Sequence, residues 1–217
     1  MTTATSTYLD AIRHMPAGGT LTIPGVSWDE YEALLAELED NSHFRLTYDE
    51  GSLEIVSPST KHEWWNRFIA DVARVLATEL GTELEGYGHS TIKKKSLQKG
   101  AEPDSCFYVQ NAARVIGKQV VDLAIDPPDI VVEVDVSHSS TRKLAFYAQL
   151  GVPEVWRYDG RRAVFYRLGR GQYVEIPSSL AFAGFAAATL TALLSRIASE
   201  SQQRVLNDLR RTLRDRA

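Results

Sequence analysis

The stretch DIVVEVDV, residues 129–136, combines acidic and β-branched residues in a pattern that predicts a β-strand. Side chains alternate between the two faces of a strand, so every second residue shares a face. One face is wholly apolar and is expected to pack on helices; it consists of Ile130, Val132, Val134 and Val136. The other face carries the carboxylates of Asp129, Glu133 and Asp135. Carboxylates so close together raise one another's pKa unless a cation lies among them.

The residues that follow this strand predict a βαβ unit. Residues 141–150 have the pattern of a short amphipathic helix, and Gly151 follows as its C-terminal glycine. Residues 155–158 predict a second strand, which a right-handed crossover would place parallel to the first. A hairpin to residues 163–168 and a further strand at 172–176 are expected to extend the sheet.

The residues before the strand predict a helix and several strands in an order that decides the fold class. Ser27–Glu30 and Thr60–Glu63 each fit a capping box, and apolar residues at helical spacing follow both. A hairpin is predicted at 45–56, and strands are predicted at 83–87, 90–94 and 104–109. From residue 60 the order is helix, strands, helix, strand. The predicted class is therefore α/β or α+β, built around a mixed sheet.

Three segments are predicted along the chain. Residues 1–19 are Thr-rich and then Gly-rich and suggest a flexible tail. Residues 20–188 are expected to form one domain, and residues 189–217 a C-terminal helix.

The composition is that of an ordinary globular protein. The chain has 217 residues, 44% of them hydrophobic and 24% charged, and its net charge of −4 gives no sign of a strongly basic nucleic-acid binder. Its single cysteine, Cys106, leaves no disulfide partner and suggests a reducing compartment. No apolar run approaches the ~20 residues that span a bilayer. We therefore expect a cytoplasmic protein with no membrane partner.

Asp104, in the stretch EPDSCFYV at residues 102–109, is another acid in a strongly apolar strand. A buried carboxylate is costly unless it has a partner, a proton or a metal. Asp104 and Glu133 therefore allow two interpretations: acids at a solvent-facing sheet edge, or ligands of a divalent ion. Mg²⁺ prefers one or two carboxylates, with water and phosphate as its other ligands. Lys143, in the first turn of the following helix, is either the basic residue of such a site or a solvated surface lysine.

Four stretches in this order, EPDSCFYV, PPDIVVEVDVSHSS, RKLAFY and GVPEVWRYDG, resemble the Uma family of putative restriction endonucleases, which is abundant in bacteria. That family belongs to the PD-(D/E)XK nuclease superfamily, and the resemblance covers roughly residues 20–185. It implies a restriction-endonuclease-like αβββαβ core, the order already predicted from residue 60 onward. It also implies that Asp104 and Glu133 bind Mg²⁺, with Mn²⁺ as a substitute.

The chain departs from the superfamily pattern at the lysine. The pattern places a lysine two residues after the glutamate, where this chain has Asp135. The family is similar to superfamily members whose lysine has moved to the following helix, and Lys143 occupies that place. Asp135 is then either a further metal contact or merely tolerated, and Glu54, in an earlier strand, is a further candidate acid.

Several other residues are candidates for supporting roles. His62 lies on the apolar stripe of its predicted helix, and either a structural or an active-site histidine fits there. The lysines Lys93, Lys94 and Lys95 either protect a sheet edge or contact a nucleic-acid backbone. The C-terminal arginines fit a solvated helix end better than a DNA contact; they are Arg204, Arg210, Arg211, Arg214 and Arg216.

Two functional hypotheses follow. The first is an Mg²⁺-dependent endonuclease that acts on DNA through Asp104, Glu133 and Lys143, with His62 as a helper. The alternative is a non-catalytic nucleic-acid-binding or regulatory protein on a nuclease fold, because a fold does not fix a function. A homodimer is also predicted, from the resemblance and from an apolar stretch containing Phe182, Phe185 and Leu190 that is expected to be exposed.

Overall fold

The structure is a computed structural model that describes residues 3–38, 43–136 and 139–215. The helices are α1 (Thr3–Arg13), α2 (Trp28–Leu38), α3 (Thr60–Leu80), α4 (Thr141–Leu150), α5 (Ala187–Arg196) and α6 (Gln202–Arg214). The strands are β1 (Thr20–Pro24), β2 (Arg45–Asp49), β3 (Ser52–Val56), β4 (Glu85–Gly86), β5 (Ile92–Lys94), β6 (Lys99–Ala101), β7 (Ser105–Tyr108), β8 (Ile130–Val134), β9 (Glu154–Tyr158), β10 (Ala163–Gly169) and β11 (Gln172–Ile176). Short 3₁₀ turns occupy Lys95–Leu97 and Ala112–Arg114.

The chain divides into two compact units where the sequence predicted one domain at 20–188. The first unit consists of Met1–Lys61 and Thr91–Glu102, and the second of His62–Ser90 and Pro103–Ala217. A short return of the chain, residues 91–102, adds β5 and β6 to the sheet of the first unit. The periodicity of a sequence indicates individual helices and strands, but it does not indicate which sheet a strand joins. Strand pairing depends on residues that are far apart along the chain.

The first unit is an antiparallel sheet in the order β1-β3-β2-β6-β5, with α1 and α2. The predicted capping box forms at α2, where Ser27 N donates to the Glu30 carboxylate at 2.8 Å and Glu30 N donates to Ser27 Oγ at 3.3 Å. The predicted hairpin also forms, and Glu50 and Gly51 make its turn with φ of 48° and 91°. Such positive values at both positions are typical of a two-residue hairpin turn.

Helix α1 lies within the segment that was expected to be a flexible tail. Leu9 and Ile12 of this helix are buried in the apolar core of the first unit. These two apolar side chains are one helical turn apart, which is a weak signal beside the Thr-rich composition. Burial of the two side chains in the core accounts for an ordered helix here.

The second unit contains a six-stranded mixed sheet in the order β11-β10-β9-β8-β7-β4. Strands β8 and β9 pair in parallel, as predicted for the βαβ unit, and the other neighbours are antiparallel. The order α3-β4-β7-β8-α4-β9 is the expected αβββαβ arrangement. The predicted fold class, a mixed α/β protein, is confirmed.

The apolar face of β8 forms the centre of the second core. Ile130, Val132 and Val134 are fully buried in one cluster with residues of α3, among them Phe68 and Ile69. Burial of each such side chain contributes roughly 1.5–3 kcal/mol. The opposite face of β8 carries Glu133, so the packing of the apolar face fixes the direction in which this acid points.

The C-terminal region forms two helices, α5 and α6, where the sequence predicted one. Ser201 begins α6, and its Oγ accepts a hydrogen bond from Arg204 N at 3.3 Å. The three apolar side chains of this region are not exposed: Phe182 and Phe185, before α5, and Leu190, within α5, are at most 3% accessible and lie in the core. Phe182 and Phe185 pack around Trp156 with ring centroids 6.0 and 5.8 Å away. The expectation of an exposed apolar surface here was therefore wrong.

None of the helices in the described ranges is long and apolar enough to cross a membrane.

Candidate active site

Asp104 lies directly before β7 and is bonded to β8 on both sides of Glu133. Its backbone N donates to Val132 O at 3.1 Å, and its carboxylate Oδ2 accepts from Val134 N at 2.7 Å. The side chain is buried, as the surrounding apolar sequence predicted. The structure therefore brings the two candidate acids of β7 and β8 to the same end of the strand pair.

Helix α3 holds Asp104 with two residues one turn apart. His62 Nε2 lies 3.0 Å from Asp104 Oδ2, and Asn66 Nδ2 donates to Asp104 O at 3.0 Å. Asn66 Oδ1 in turn accepts from Ser105 Oγ at 2.9 Å. His62 and Asn66 are both buried, so the α3 stripe contributes polar as well as apolar contacts to this end of the sheet.

Helix α4 holds Glu133 in the same way. Lys143 Nζ lies 3.0 Å from Glu133 Oε2 and 3.3 Å from Oε1, and Tyr147 donates its hydroxyl to Oε1 at 2.6 Å. Glu133 is inaccessible to solvent and Lys143 is only 5% exposed. The alternative of a solvated surface lysine does not describe Lys143.

The electrostatics of this cluster follow from burial and from these pairings. Burial would lower the pKa of His62, but the hydrogen bond with Asp104 and the Glu63 carboxylate, 3.7 Å from Nδ1, raise the pKa to about 9. Burial would lower the pKa of Lys143 as well, and the charge of Glu133 raises it. Burial raises the pKa of Glu133 to about 7, whereas the bond from His62 keeps the pKa of Asp104 low. The pKa of each basic partner is thus raised by the acid to which it is bonded.

Asp135, two residues after Glu133, has a carboxylate that bonds to Ser140 and Arg157. Its Oδ1 accepts from Ser140 N at 3.0 Å, and its Oδ2 accepts from Ser140 Oγ at 3.1 Å and from Arg157 Nε at 2.9 Å. Ser140 directly precedes α4. Asp135 therefore tethers the start of the helix that carries Lys143, and Arg157 of β9 completes this tether.

Asp129, the remaining acid of the predicted acidic face, lies just before β8 at its opposite end. Its carboxylate accepts from Val109 N at 2.7 Å, and from Asn111 N at 2.9 Å and Nδ2 at 2.5 Å. These bonds hold the loop after β7. The three acids of one strand face consequently serve three different sets of partners.

The other sequence-predicted site residues lie in the first unit or at the C-terminus. Glu54 is on β3, between Thr22 and Thr47 of the neighbouring strands. Strand β5 is a sheet edge, and Lys93 and Lys95 near it bond to Glu32 and Asp29 of α2 at 2.9 and 3.3 Å. Lys94 lies between them in the chain. The arginines Arg204, Arg210, Arg211 and Arg214 belong to α6, and Arg216 lies outside the described residues.

Three contributors to the site were missed in the sequence: Asn66, Tyr147 and Arg157. Asn66 follows His62 by four residues and Tyr147 follows Lys143 by four, so each lies one helical turn beyond a residue that was identified. That spacing was a usable signal. No comparable local signal marks Arg157, since its bond to Asp135 spans 22 residues.

The donors present are carboxylates, which suit Mg²⁺ in kind. Among the residues that the structure describes, no three His, Cys, Asp or Glu side chains converge on one ion position. Zinc sites generally need three or four such ligands, whereas Mg²⁺ takes one or two carboxylates and completes its shell with water and phosphate. Asp104 and Glu133 fit the second pattern.

Comparisons with known proteins identify the family. The Uma2 family profile, described as "Putative restriction endonuclease", matches residues 28–200. No curated protein matches the chain. A similar solved structure is that of a putative nuclease belonging to DUF820 from Anabaena variabilis, with 16% identity and a TM-score of 0.47 over 69% of this chain and 90% of that one. Because the family profile spans most of the sequence, the protein belongs to the Uma2 family of putative restriction endonucleases.

Proposed function

We propose that this protein is a metal-dependent endonuclease that hydrolyses phosphodiester bonds in DNA. The observation that carries the proposal is the meeting of Asp104 and Glu133 at one end of the β7–β8 pair, with the Lys143 ammonium 3.0 Å from Glu133. Membership of the Uma2 family supports the same reaction class. A protein that only bound nucleic acid would have no need for two buried acids, one of them bonded to a buried lysine.

Asp104 and Glu133 would hold the divalent ion, Mg²⁺ or Mn²⁺, through their carboxylate oxygens. When bound, such an ion lowers the pKa of water and neutralises charge on a phosphate. The remaining tasks fall to side chains of this chain. Lys143 supplies a point charge for the attacking water or for a phosphate oxygen, and it reaches that position from the first turn of α4.

His62 acts through Asp104 in this proposal. Its Nε2 is bonded to Oδ2, the same oxygen that accepts from Val134 N, so the Asp104 carboxylate is fixed from a side chain and from the backbone. A carboxylate held in this way presents a defined orientation to an ion. Glu54 remains a candidate additional acid, and Lys93, Lys94 and Lys95 remain candidates for DNA contacts; no step depends on them.

A homodimer is part of the proposal, because two sites related by a two-fold axis suit the cutting of both strands of a duplex. The argument for a dimer from an exposed apolar surface no longer applies, because Phe182, Phe185 and Leu190 are buried. The prediction of a dimer therefore depends on the two strands of the duplex substrate and on the resemblance to the family.

The first test is calorimetric titration of Mn²⁺ into the wild type and into the Asp104→Asn, Glu133→Gln double variant, beside a plasmid-cleavage assay with Mg²⁺. We expect binding and cleavage by the wild type and neither by the double variant, because both substitutions remove the anionic ligands while keeping side-chain size. Equal Mn²⁺ affinity of the two proteins would contradict the metal site. Metal-independent DNA binding without cleavage would favour a binding protein instead.

A further inference from the structure

Tyr147 is the second residue on α4 that bonds to Glu133, and its surroundings are those of a built contact. The side chain is inaccessible to solvent, and its hydroxyl lies 2.6 Å from Glu133 Oε1. Burial and the neighbouring Glu133 carboxylate raise the pKa of the Tyr147 phenol well above its ordinary value. The hydroxyl is the donor of this hydrogen bond, and Glu133 Oε1 is the acceptor. Hydrogen bonds from a hydroxyl to a carboxylate at this length are among the strong ones.

Lys143 and Tyr147 divide the Glu133 carboxylate between them. Lys143 Nζ is near both oxygens, at 3.0 and 3.3 Å, whereas the tyrosine is bonded to Oε1 alone. The two donors differ in freedom: a lysine has four side-chain torsions, and a buried tyrosine has two. A lysine that turns toward a phosphate or a water must lengthen its bonds to Glu133. The tyrosine has no such second task.

We propose that Tyr147 is a positioning residue that fixes the orientation of the Glu133 carboxylate for metal binding, an inference that rests on the proposed endonuclease function. By holding Oε1, Tyr147 prevents rotation of the carboxylate while Lys143 changes partners. The residue does not contact substrate in this scheme and acts only through Glu133. Partners of this kind typically change metal affinity or activity by about 10–100-fold when removed.

The test compares Tyr147→Phe with Tyr173→Phe as a matched control. Tyr173 also belongs to the second unit and donates its hydroxyl at 2.8 Å, but to the backbone O of Val152. Each variant loses one hydroxyl and one hydrogen bond and keeps the ring. We expect Tyr147→Phe to bind Mn²⁺ about 10–100-fold more weakly by calorimetry and Tyr173→Phe to bind it like the wild type. In cleavage assays Tyr147→Phe should lower kcat more than it changes KM.

A double-mutant cycle with Glu133→Asp is the second measurement. The shorter aspartate carboxylate withdraws from the tyrosine hydroxyl, and from Lys143, in both backgrounds of the cycle alike. Tyr147→Phe should therefore cause little further loss of Mn²⁺ affinity in the Glu133→Asp background, and additive losses would overturn the proposal. Unchanged Mn²⁺ affinity in Tyr147→Phe, with a wild type that binds and a Glu133→Gln variant that does not, would overturn the positioning role and leave the endonuclease standing. A wild type that does not bind Mn²⁺ would overturn both.

Discussion

At the scale of single residues, the burial of Lys143 gives it the most sharply defined role in the candidate site. The superfamily's lysine follows the glutamate on the same strand, whereas this lysine reaches Glu133 from the next helix. Lys143 Nζ lies 3.0 Å from Glu133 Oε2, so the buried ammonium contacts this acid from the helix. The role proposed for Lys143 therefore depends on the position of its ammonium group and not on the element that carries it.

Lys143→Ala should lower cleavage by about two to three orders of magnitude, the usual loss when one preorganised charge is removed from a transition state. Mn²⁺ affinity should not fall, because the substitution removes a cation that competes for Glu133. Lys143→Arg should restore part of the activity, since the charge returns without its point-like geometry. The measurements are single-turnover cleavage and calorimetry. Thermal melts with Mn²⁺ present check that loss of the buried counter-charge leaves the fold intact.

Arg142 is the control for Lys143. It is the preceding residue on α4, turned about 100° around the helix axis and exposed. Arg142→Ala should leave cleavage nearly unchanged. If Arg142→Ala lost cleavage while Lys143→Ala cleaved like the wild type, the assignment of the lysine would be wrong. If neither substitution changed cleavage by an active wild type, Lys93, Lys94 and Lys95 would be the next candidates for the basic role.

At the scale of elements, the start of α4 decides where Lys143 lies, and Asp135 fixes that start. Both oxygens of Asp135 accept bonds from Ser140, and Arg157 of β9 binds the same carboxylate. The parallel pairing of β8 with β9 places Arg157 next to Glu133 in register, and Glu133 is two residues before Asp135. Strand, helix start and neighbouring strand are thus joined through one side chain.

Asp135→Ala should lower the free energy of unfolding by about 1–3 kcal/mol, because it leaves buried donors without their acceptor. It should also reduce cleavage, since α4 loses the bond at its start, but it should not change Mn²⁺ affinity. Denaturant unfolding, cleavage assays and calorimetry measure the three effects. A large loss of Mn²⁺ affinity would identify Asp135 as a metal ligand after all.

Asp159→Ala is the matched control for Asp135→Ala. Asp159 likewise accepts backbone hydrogen bonds, from Arg161 N at 2.8 Å and Arg162 N at 2.7 Å, but in the turn between β9 and β10. Its loss should cost stability without a comparable loss of cleavage. Equal effects of the two substitutions on cleavage would mean that Asp135 contributes only to general stability.

At the scale of the whole molecule, the prediction that remains is the homodimer. Sedimentation over a range of protein concentrations, with and without duplex DNA, should show the mass of two chains. A monomer mass that is independent of concentration, with DNA and without it, would contradict the prediction. The buried Phe182 is unsuited to testing association, because its replacement by alanine would remove a core side chain and cost about 3–5 kcal/mol of stability.

The sequence alone determined the elements whose signals are local. Helix α4 begins and ends at the predicted residues, Thr141 and Leu150, and the β2–β3 hairpin and the capping box at Ser27 form as expected. These features depend on neighbours within a few residues, through side-chain periodicity, capping bonds and turn conformation. The sequence also indicated that the acids in apolar strands have bonding partners, because a buried carboxylate needs one wherever its strand lies.

Tertiary structure alone decided which partners those acids have. Asp135 and Arg157 meet across 22 residues, and His62 meets Asp104 across 42. Such contacts depend on strand register and helix placement, which local patterns do not encode. The same reason explains why Phe182 lies in the core and why Leu9 and Ile12 order the N-terminal helix: the apolar surface that covers each of them comes from distant parts of the chain.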